Sequence, residues 1–310
     1  MMSDIRFDGK VAIVTGAGTG LGRAHAMGLA ARGARVMVND LGAGRDGQGA
    51  SDSAAEAVAQ EIRDAGGEAL THGADVSDEG AVHDMIARTM NAWGRIDIAV
   101  NNAGILRDKT FAKMEMSDFR KVVDVHLIGS ANVTHACWPI MRAQKYGRVV
   151  LTASGSGLYG NFGQSNYGAA KMAMVGLMNV LHLEGARDNI RVNVLAPTAA
   201  TRMTEELLPA ETRDLLRPET ITPGLLFLVS EDAPSKVIMG AGAGSFAITK
   251  IYETEGVTLD EGEITPEAVA AAYELIADTQ DQEELADAFS QTKKYAQNAA
   301  RKRGMTLDWG

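Results

Sequence analysis

Short apolar runs, each followed by glycine or polar residues and then by a helical stretch, recur along residues 8–250. Continuous apolar runs of this kind are typical of strands that are covered on both faces. Their regular alternation with helices predicts an α/β fold with a doubly wound parallel sheet, the Rossmann fold. We predict seven strands, which cover or end at residues 11–14, 35–39, 74–76, 96–100, 149–154, 191–195 and 245–249.

The first predicted strand leads into a glycine-rich loop. Residues 15–22 read Thr-Gly-Ala-Gly-Thr-Gly-Leu-Gly, and a helical stretch follows over residues 23–31. Glycines let a backbone approach a pyrophosphate, whose charge is met by free N–H groups at the start of a helix. The spacing differs from Gly-x-Gly-x-x-Gly, so a simple turn is the alternative. Strand before and helix after favour nucleotide binding, and the candidate contacts are Gly16, Thr19, Gly20, Leu21 and Gly22.

Two carboxylates lie where the second and third predicted strands end. Asp40 follows Gly22 by eighteen residues, where a side chain accepts hydrogen bonds from the adenosine ribose and repels a 2′-phosphate. This position favours NAD over NADP as the cofactor, with a capping or loop aspartate as the alternative. Asp75, next to Val76, is placed to reach the adenine or to stand beside a helix N-cap.

The fourth predicted strand stops at a run of small and amide side chains. Residues 101–104 read Asn-Asn-Ala-Gly. We expect the amides to stiffen this edge of the sheet. We also expect Asn102, Ala103 and Gly104 to leave room for the adenosine half of a cofactor.

A tyrosine and a lysine stand four residues apart in a predicted helix. This spacing puts Tyr167 and Lys171 on one face, so that the ammonium favours the phenolate. A phenol with a pKa near 10 then becomes an acid or base near neutrality. Ser154 comes thirteen residues earlier, at a strand end, where open α/β sheets bind ligands. A surface pair is the alternative for the two helical residues.

Composition narrows the classes of partner. The chain of 310 residues carries a net charge of −10, which argues against nucleic acid or an anionic membrane as a partner. The single Cys137 fits a reducing compartment, and we find no signal peptide or membrane-spanning run. We therefore predict a soluble cytoplasmic protein that binds a small-molecule substrate and no metal.

Two features predict further organisation. The helix that carries Tyr167 is apolar on nearly all sides, which predicts packing against another subunit in a homodimer or homotetramer. An acidic stretch over residues 253–263 precedes two amphipathic helices, the first of which starts at Thr265 and Pro266. We therefore predict a catalytic domain over residues 1–252 and a helical extension over residues 253–310.

Four ordered motifs resemble the short-chain dehydrogenase/reductase family. They are the loop over residues 15–22, Asn-Asn-Ala-Gly at 101–104, Ser154, and the pair Tyr167 and Lys171. Longer strings are similar to the (3R)-hydroxyacyl-CoA dehydrogenase part of the peroxisomal multifunctional enzymes type two. These strings cover residues 39–42, 101–108, 144–148 and 159–167.

The resemblance implies an oxidoreductase that interconverts a secondary alcohol and a ketone with NAD. It implies that Tyr167 exchanges the hydroxyl proton and that Lys171 holds the nicotinamide ribose and lowers the phenol's pKa, so both residues also contact the cofactor. Ser154, with Ser156 as the alternative, would hydrogen-bond the reacting oxygen. His126 stands where most members have an asparagine of a proton relay. We expect activity to survive this difference.

The resemblance also implies a cofactor contact at Pro197 and a mobile segment over residues 198–218. A threonine that contacts the nicotinamide in many members would here be Thr201 or Thr204. We expect the leucines of this segment to cover an acyl chain or steroid ring, and its arginines, with Arg107 and Lys109, to meet phosphates of coenzyme A. A solvated helical insert is the alternative.

The preferred substrate is a (3R)-3-hydroxyacyl-CoA. A hydroxysteroid or steroid-CoA dehydrogenase and a 3-oxoacyl carrier-protein reductase are the alternatives within the family, and Asp40 argues against the second because such reductases usually prefer NADPH. A catalytically silent NAD-binding protein is the alternative from another class.

Overall fold

The computed structural model of the chain describes residues 4–49, 51, 53–200 and 209–309. Contacts between Cα atoms divide the chain into two compact units, Met1–Ile248 and Thr249–Gly310. The predicted division after residue 252 stays a prediction. In the described part of the chain, no helix is both long and apolar enough to cross a membrane.

One sheet organises the first unit. Its strand order is β3-β2-β1-β4-β5-β6-β7-β8, and every pair from β3 to β7 is parallel. The chain reverses its winding direction between β1 and β4, as in a doubly wound fold. The strands are β1 Val11–Thr15, β2 Arg35–Asn39, β3 Ala69–His72, β4 Ile98–Asn101, β5 Gly147–Thr152, β6 Ile190–Pro197, β7 Ile238–Gly242 and β8 Ser245–Thr249.

Helices connect these strands. A π-helix, Asp124–Ile128, joins α4 to α5 without a break. The α-helices of the first unit are α1 Gly20–Ala30, α2 Ser53–Asp64, α3 Glu79–Trp93, α4 Met116–Val123, α5 Gly129–Gln144, α6 Gly155–Tyr159, α7 Ser165–Gly185, α8 Ala210–Leu215 and α9 Thr222–Leu228. The doubly wound parallel fold predicted from the sequence is confirmed.

The prediction of seven strands is wrong, because the described residues form eight. The missed strand is β7, in which two apolar residues are followed by Gly-Ala-Gly. Glycine has a low strand propensity, so the glycines at two of the five positions leave this stretch with only a short apolar signal. Ala243 and Gly244, both with positive φ, then turn the chain into β8, which is the strand predicted as the seventh.

The core consists of two apolar clusters, one on each face of the sheet. The cluster that contains Met174 and Met178 packs α7 with α3 and α5, and the other contains Leu29 and Leu225 of α1 and α9. Strands β1, β4 and β5 are buried along their whole length because helices cover both of their faces.

The second unit contains the predicted helical extension. Its helices are α10 Pro266–Ala271, α11 Tyr273–Ile276 and α12 Ala288–Lys302. The Thr265 side chain caps α10 by accepting from the Ala268 amide at 3.1 Å, with Pro266 in the first turn. Buried Lys294 donates to the Thr254 carbonyl at 2.6 Å and lies 3.3 Å from Glu283.

Arg148 on β5 is the largest fully buried side chain of the first unit. Its guanidinium donates to the carbonyls of Ser230 and Glu231, both at 2.9 Å, and to those of Gly147 and Asn189. Buried carbonyls without donors are costly, so this one side chain joins β5 to the loops after α7 and α9.

Arg148→Lys should lower the free energy of unfolding by about 3 kcal/mol or more, because one ammonium does not reach all four carbonyls. Urea unfolding measures the change. Arg142→Lys, at a side chain that is 63% exposed beside Asp188, is the matched control and should leave the midpoint almost unchanged. Equal effects of the two substitutions would contradict this role for Arg148.

Candidate active site

Ser154 lies where β5 ends and α6 begins. Its side chain accepts a hydrogen bond from the Ser156 amide at 3.2 Å, which makes it the N-cap of this short helix. Parallel strands end at one edge of the sheet, so the ends of β1, β4 and β6 lie at the same edge as Ser154.

Tyr167 and Lys171 lie one turn apart on α7, with their side chains on the same side. The Lys171 Nζ is 5.5 Å from the centre of the Tyr167 ring and donates to the Thr152 carbonyl at 2.6 Å. Ser154 lies near enough to the phenol to lower its pKa. Lys171 therefore ties α7 to the end of β5, where the serine and the tyrosine lie near each other.

His126 lies in the π-helix and is buried. Its ring packs edge-on against Tyr167, with 5.2 Å between the ring centres. Its Nε2 is 2.8 Å from the Ile105 carbonyl oxygen and 3.1 Å from the Ile105 amide nitrogen. The Nδ1 is buried and has no hydrogen-bond partner among the described residues. A Cβ on Gly104 would overlap this ring, so the glycine makes room for the histidine.

The glycine loop between β1 and α1 packs against the end of β4. Asn102 donates through Nδ2 to the carbonyls of Thr15 and Gly16, at 3.0 and 3.1 Å. A Cβ on Gly16 would lie 2.8 Å from the Ala103 Cα. Gly22 is on the inner side of α1, where a Cβ would overlap the Gly16 carbonyl, so its small size is needed for packing.

Asp40 follows β2 and turns back towards the glycine loop. Its two carboxylate oxygens accept from the amides of Gly18 and Gly42, each at 2.7 Å. Each oxygen retains a second lone pair, so the fixed carboxylate is still able to accept from a ribose. Asp75 accepts from Ser77 and lies 3.6 Å from Lys121.

One cavity of about 530 Å³ brings nearly all of these residues together. This cavity suits a dinucleotide. The glycine loop offers backbone N–H donors to a pyrophosphate, and the fixed carboxylate of Asp40 is an acceptor for a ribose hydroxyl. The predicted residues that line the cavity are Gly16, Thr19, Gly20, Leu21, Asp40, Asp75, Val76, Asn102, Ala103, Gly104, His126, Ser154, Tyr167, Lys171 and Pro197.

Comparisons with known proteins agree with this geometry. The family described as short chain dehydrogenase matches residues 10–212. The chain belongs to this family. It is therefore an oxidoreductase that acts on CH–OH groups, as the motifs predict.

Three relatives of this short-chain dehydrogenase are informative. The peroxisomal multifunctional enzyme type 2 of Drosophila melanogaster is 48% identical over 81% of the chain, which spans 42% of that enzyme. Its full-length structure superposes with a TM-score of 0.81, at 36% identity, over 96% of this chain and 50% of that one.

A putative short-chain type dehydrogenase/reductase of Mycobacterium tuberculosis is 45% identical over 87% of the chain and 94% of its own length. A 7α-hydroxysteroid dehydrogenase complexed with NADH and 7-oxo glycochenodeoxycholic acid has a TM-score of 0.71. It is 29% identical and covers 79% of this chain and 98% of its own.

Burial is the main cause of the pKa shifts in the site. Burial raises the pKa of the Tyr167 phenol, and the negative charge of Asp108 raises this pKa further. Hydrogen bonding by Ser154 lowers the pKa of the phenol. Burial also lowers the pKa of Lys171 to about 7. Burial thus sets the direction of the phenol's pKa shift in the protein alone, and the predicted lowering of this pKa by the Lys171 ammonium stays a prediction.

The imidazole of His126 is neutral near pH 7. Burial holds its pKa well below the usual range, and the positive charge of Lys171 acts in the same direction. A neutral imidazole with a free Nδ1 either accepts or donates one further hydrogen bond, depending on its tautomer. Its predicted part in a proton relay stays a prediction.

A polar chain beside Ser154 was missed from the sequence. The Gln164 Oε1 accepts from the Ser156 hydroxyl at 2.8 Å, and its Nε2 donates to Asp108 at 2.8 Å. The Asn166 Nδ2 donates to the Arg107 carbonyl at 2.9 Å. Asp108, Gln164 and Asn166 lie in the strings that carry the family resemblance, and Ser156 was predicted only as the alternative to Ser154. Spacing alone did not predict the partners of these residues.

Two predicted phosphate contacts have partners within the protein. Arg107 donates to Asp118 at 2.8 Å and to the Asp46 carbonyl, and Lys109 lies 4.0 Å from the same Asp118. To bind coenzyme A phosphates as predicted, these two side chains would have to leave or share Asp118. The predicted Thr201, Arg202, Met203, Thr204, Leu207 and Leu208 lie outside the described residues.

Lys171→Met should raise the free energy of unfolding by about 3 kcal/mol near pH 6, because the wild type buries a charge there. Below about pH 7 both folded and unfolded wild type hold this proton, so the full cost of burial is present. Above pH 7 the unfolded chain holds more protons, so wild-type stability rises with pH and the difference shrinks towards about pH 10.

Chemical unfolding at several pH values measures this difference, with Met in place of exposed Lys113 as the control. A Lys171→Met variant that is less stable than wild type near pH 6 would contradict the burial argument. It would mean that the hydrogen bond to Thr152 outweighs the cost of burying the charge.

Proposed function

We propose that the protein interconverts a (3R)-3-hydroxyacyl-CoA and the 3-oxoacyl-CoA with NAD as the redox partner. The observation that carries this proposal is a single cavity lined by Ser154, Tyr167 and Lys171, with Asp40 in the same cavity beside the glycine loop. The similarity to peroxisomal multifunctional enzymes type 2 supports the thioester substrate.

NAD is favoured over NADP by the carboxylate of Asp40. Its position is fixed by two backbone amides, so the charge does not swing away from a 2′-phosphate. The similarity to a hydroxysteroid dehydrogenase that was solved with NADH points the same way.

In the oxidation direction, a bound nicotinamide would accept the hydride that leaves C3 with its electron pair. The Tyr167 phenolate takes the hydroxyl proton, and the O–H bond electrons become the second bond of the ketone. Ser154 donates to the reacting oxygen. Lys171 is placed near the phenol to hold the nicotinamide ribose, and His126 supports the Tyr167 ring from its edge.

The raised pKa of Tyr167 means that the phenol acts more readily as an acid than as a base. In the protein alone the phenol is protonated at neutral pH, which suits it as the acid for ketone reduction. To act as the base for oxidation it needs a further positive charge nearby. We infer that oxidised nicotinamide, which is cationic, supplies this charge when it is bound.

A homo-oligomer is part of the proposal. Met172, Val180 and Leu183 of α7 are each at least 40% exposed in the single chain, which leaves an apolar strip on the helix. The dimer or tetramer, and the cytoplasmic location, stay predictions.

Tyr167→Phe should reduce kcat for oxidation of 3-hydroxybutanoyl-CoA about a thousandfold and leave NADH binding within about twofold, because the acid–base group is lost while the ring remains. Nicotinamide absorbance measures the rate, and Tyr273→Phe, at an exposed tyrosine of the second unit, is the matched control. Unchanged oxidation by Tyr167→Phe would contradict the mechanism. A wild type that binds NADH but oxidises no alcohol in a panel of R and S hydroxyacyl-CoA and hydroxysteroids would be the silent binding protein.

Asp40→Asn should raise the affinity for NADPH about tenfold, on the order of 1.4 kcal/mol, because the repelling charge is removed while an acceptor oxygen remains. Fluorescence titration with NADH and NADPH measures both dissociation constants. Asp64→Asn is the control, since that exposed carboxylate lies at the end of α2 and does not line the cavity. An unchanged ratio of the two constants in Asp40→Asn would contradict the role of Asp40 in cofactor choice.

A further inference from the structure

A second cavity of about 330 Å³ opens beside the catalytic cavity. We call it the side groove. Leu158 and Tyr159 of α6, Gly240 and Gly242 of β7, and Ala247 of β8 line it. Gly155, Thr198 and Leu216 line both cavities, so the two adjoin at these residues. Gly155 directly follows Ser154, so the side groove begins within one residue of the reacting centre.

The walls of the side groove are mostly apolar or have no side chain, and the hydroxyls of Tyr159, Thr198 and Ser245 are the polar groups on its lining residues. On β7, Ile238 and Gly240 share the face that packs towards α7, because neighbouring residues of a strand point to opposite faces. Among the described residues, a Cβ on Gly240 would have only the Ala247 carbonyl oxygen nearby, at 3.8 Å. Within this part of the chain, the missing side chain at Gly240 leaves open space over the sheet.

One wall of the catalytic cavity is polar and suits a polar part of a ligand. Asp108, Gln164 and Ser156 form a hydrogen-bonded chain along its wall, with distances of 2.8 Å. An alkyl chain laid on this wall would leave polar groups without water, which is costly. The amides and thioester of an acyl-CoA suit a polar wall, and an alkyl tail suits the side groove.

We propose that the side groove binds the alkyl tail of the substrate while the carbon that bears the oxygen lies at Ser154 and Tyr167. This inference rests on the proposed function, and it adds that the enzyme acts on thioesters of medium or long chain. Each methylene buried in the groove strengthens binding about fourfold. Affinity should therefore rise with chain length until the groove is full.

Saturated acyl-CoA thioesters test the groove without turnover. Butanoyl-CoA and dodecanoyl-CoA are titrated calorimetrically into the full chain with saturating NADH. We compare wild type with Gly240→Leu, which fills the open space, and with Gly240→Ala as a milder variant. Gly262→Leu is the control, since a Cβ there would meet no described atom within 4 Å and the residue lies in the second unit.

Wild type and Gly262→Leu should bind dodecanoyl-CoA at least about fiftyfold more tightly than butanoyl-CoA. In Gly240→Leu this ratio should fall below about threefold with the butanoyl-CoA affinity kept, and Gly240→Ala should lie between. Equal ratios in wild type and Gly240→Leu would overturn the proposal. So would an unchanged ratio together with an altered oligomeric state in Gly240→Leu, because the groove would then be an interface between copies.

The outcome also separates this inference from the proposed function. Wild type could show the chain-length dependence, and Gly240→Leu remove it, while no hydroxyacyl-CoA is oxidised. This result would support alkyl binding in the side groove and contradict the proposed reaction. Oxidation of 3-hydroxybutanoyl-CoA without any effect of chain length on binding would support the reaction and contradict alkyl binding in the groove.

Discussion

The burial of Lys171 against the end of β5 is the constraint on which the site depends. Its Nζ donates to the Thr152 carbonyl, and this bond brings α7 against the strand that carries Ser154. Tyr167 lies one turn earlier on the same side, so it lines the same cavity as the serine. The same burial lowers the pKa of Lys171 to about 7 and raises that of Tyr167. The helix therefore keeps two groups in their less charged forms until a ligand changes the local charge.

The sheet explains why the remaining site residues assemble around this point. Parallel strands end at one edge, so the glycine loop after β1, Asp40 after β2 and the amides after β4 line one cavity with Ser154. The catalytic cavity has a polar stretch of wall at Asp108, Gln164 and Ser156, and the adjoining side groove is mostly apolar. This arrangement suits a substrate with a polar carrier and an alkyl tail.

Local signals predicted most of the fold and the placement of the candidate site. Continuous apolar runs marked the central strands because helices bury both of their faces. Strand β7 was missed because glycines replace the apolar side chains there. The glycine loop, Asp40, Ser154, Tyr167 and Lys171 were predictable because each follows a strand end or obeys helical spacing. The ion pairs of Arg107 and the Asp108–Gln164 contact were not, because they join segments far apart in sequence. The raised pKa of Tyr167 depends on burial, which spacing does not report.

The most direct measurement of the central claim is the titration of Tyr167 with and without NAD⁺. The phenolate is followed by its ultraviolet difference absorbance, as wild type minus Tyr167→Phe. Without NAD⁺ we expect the phenol to ionise only above pH 10, and with NAD⁺ bound we expect its pKa to fall by at least about one unit, since a cation then lies beside a buried phenol. Identical titrations in the two states would contradict the account, because Tyr167 would then not be the base of an NAD-dependent alcohol oxidation.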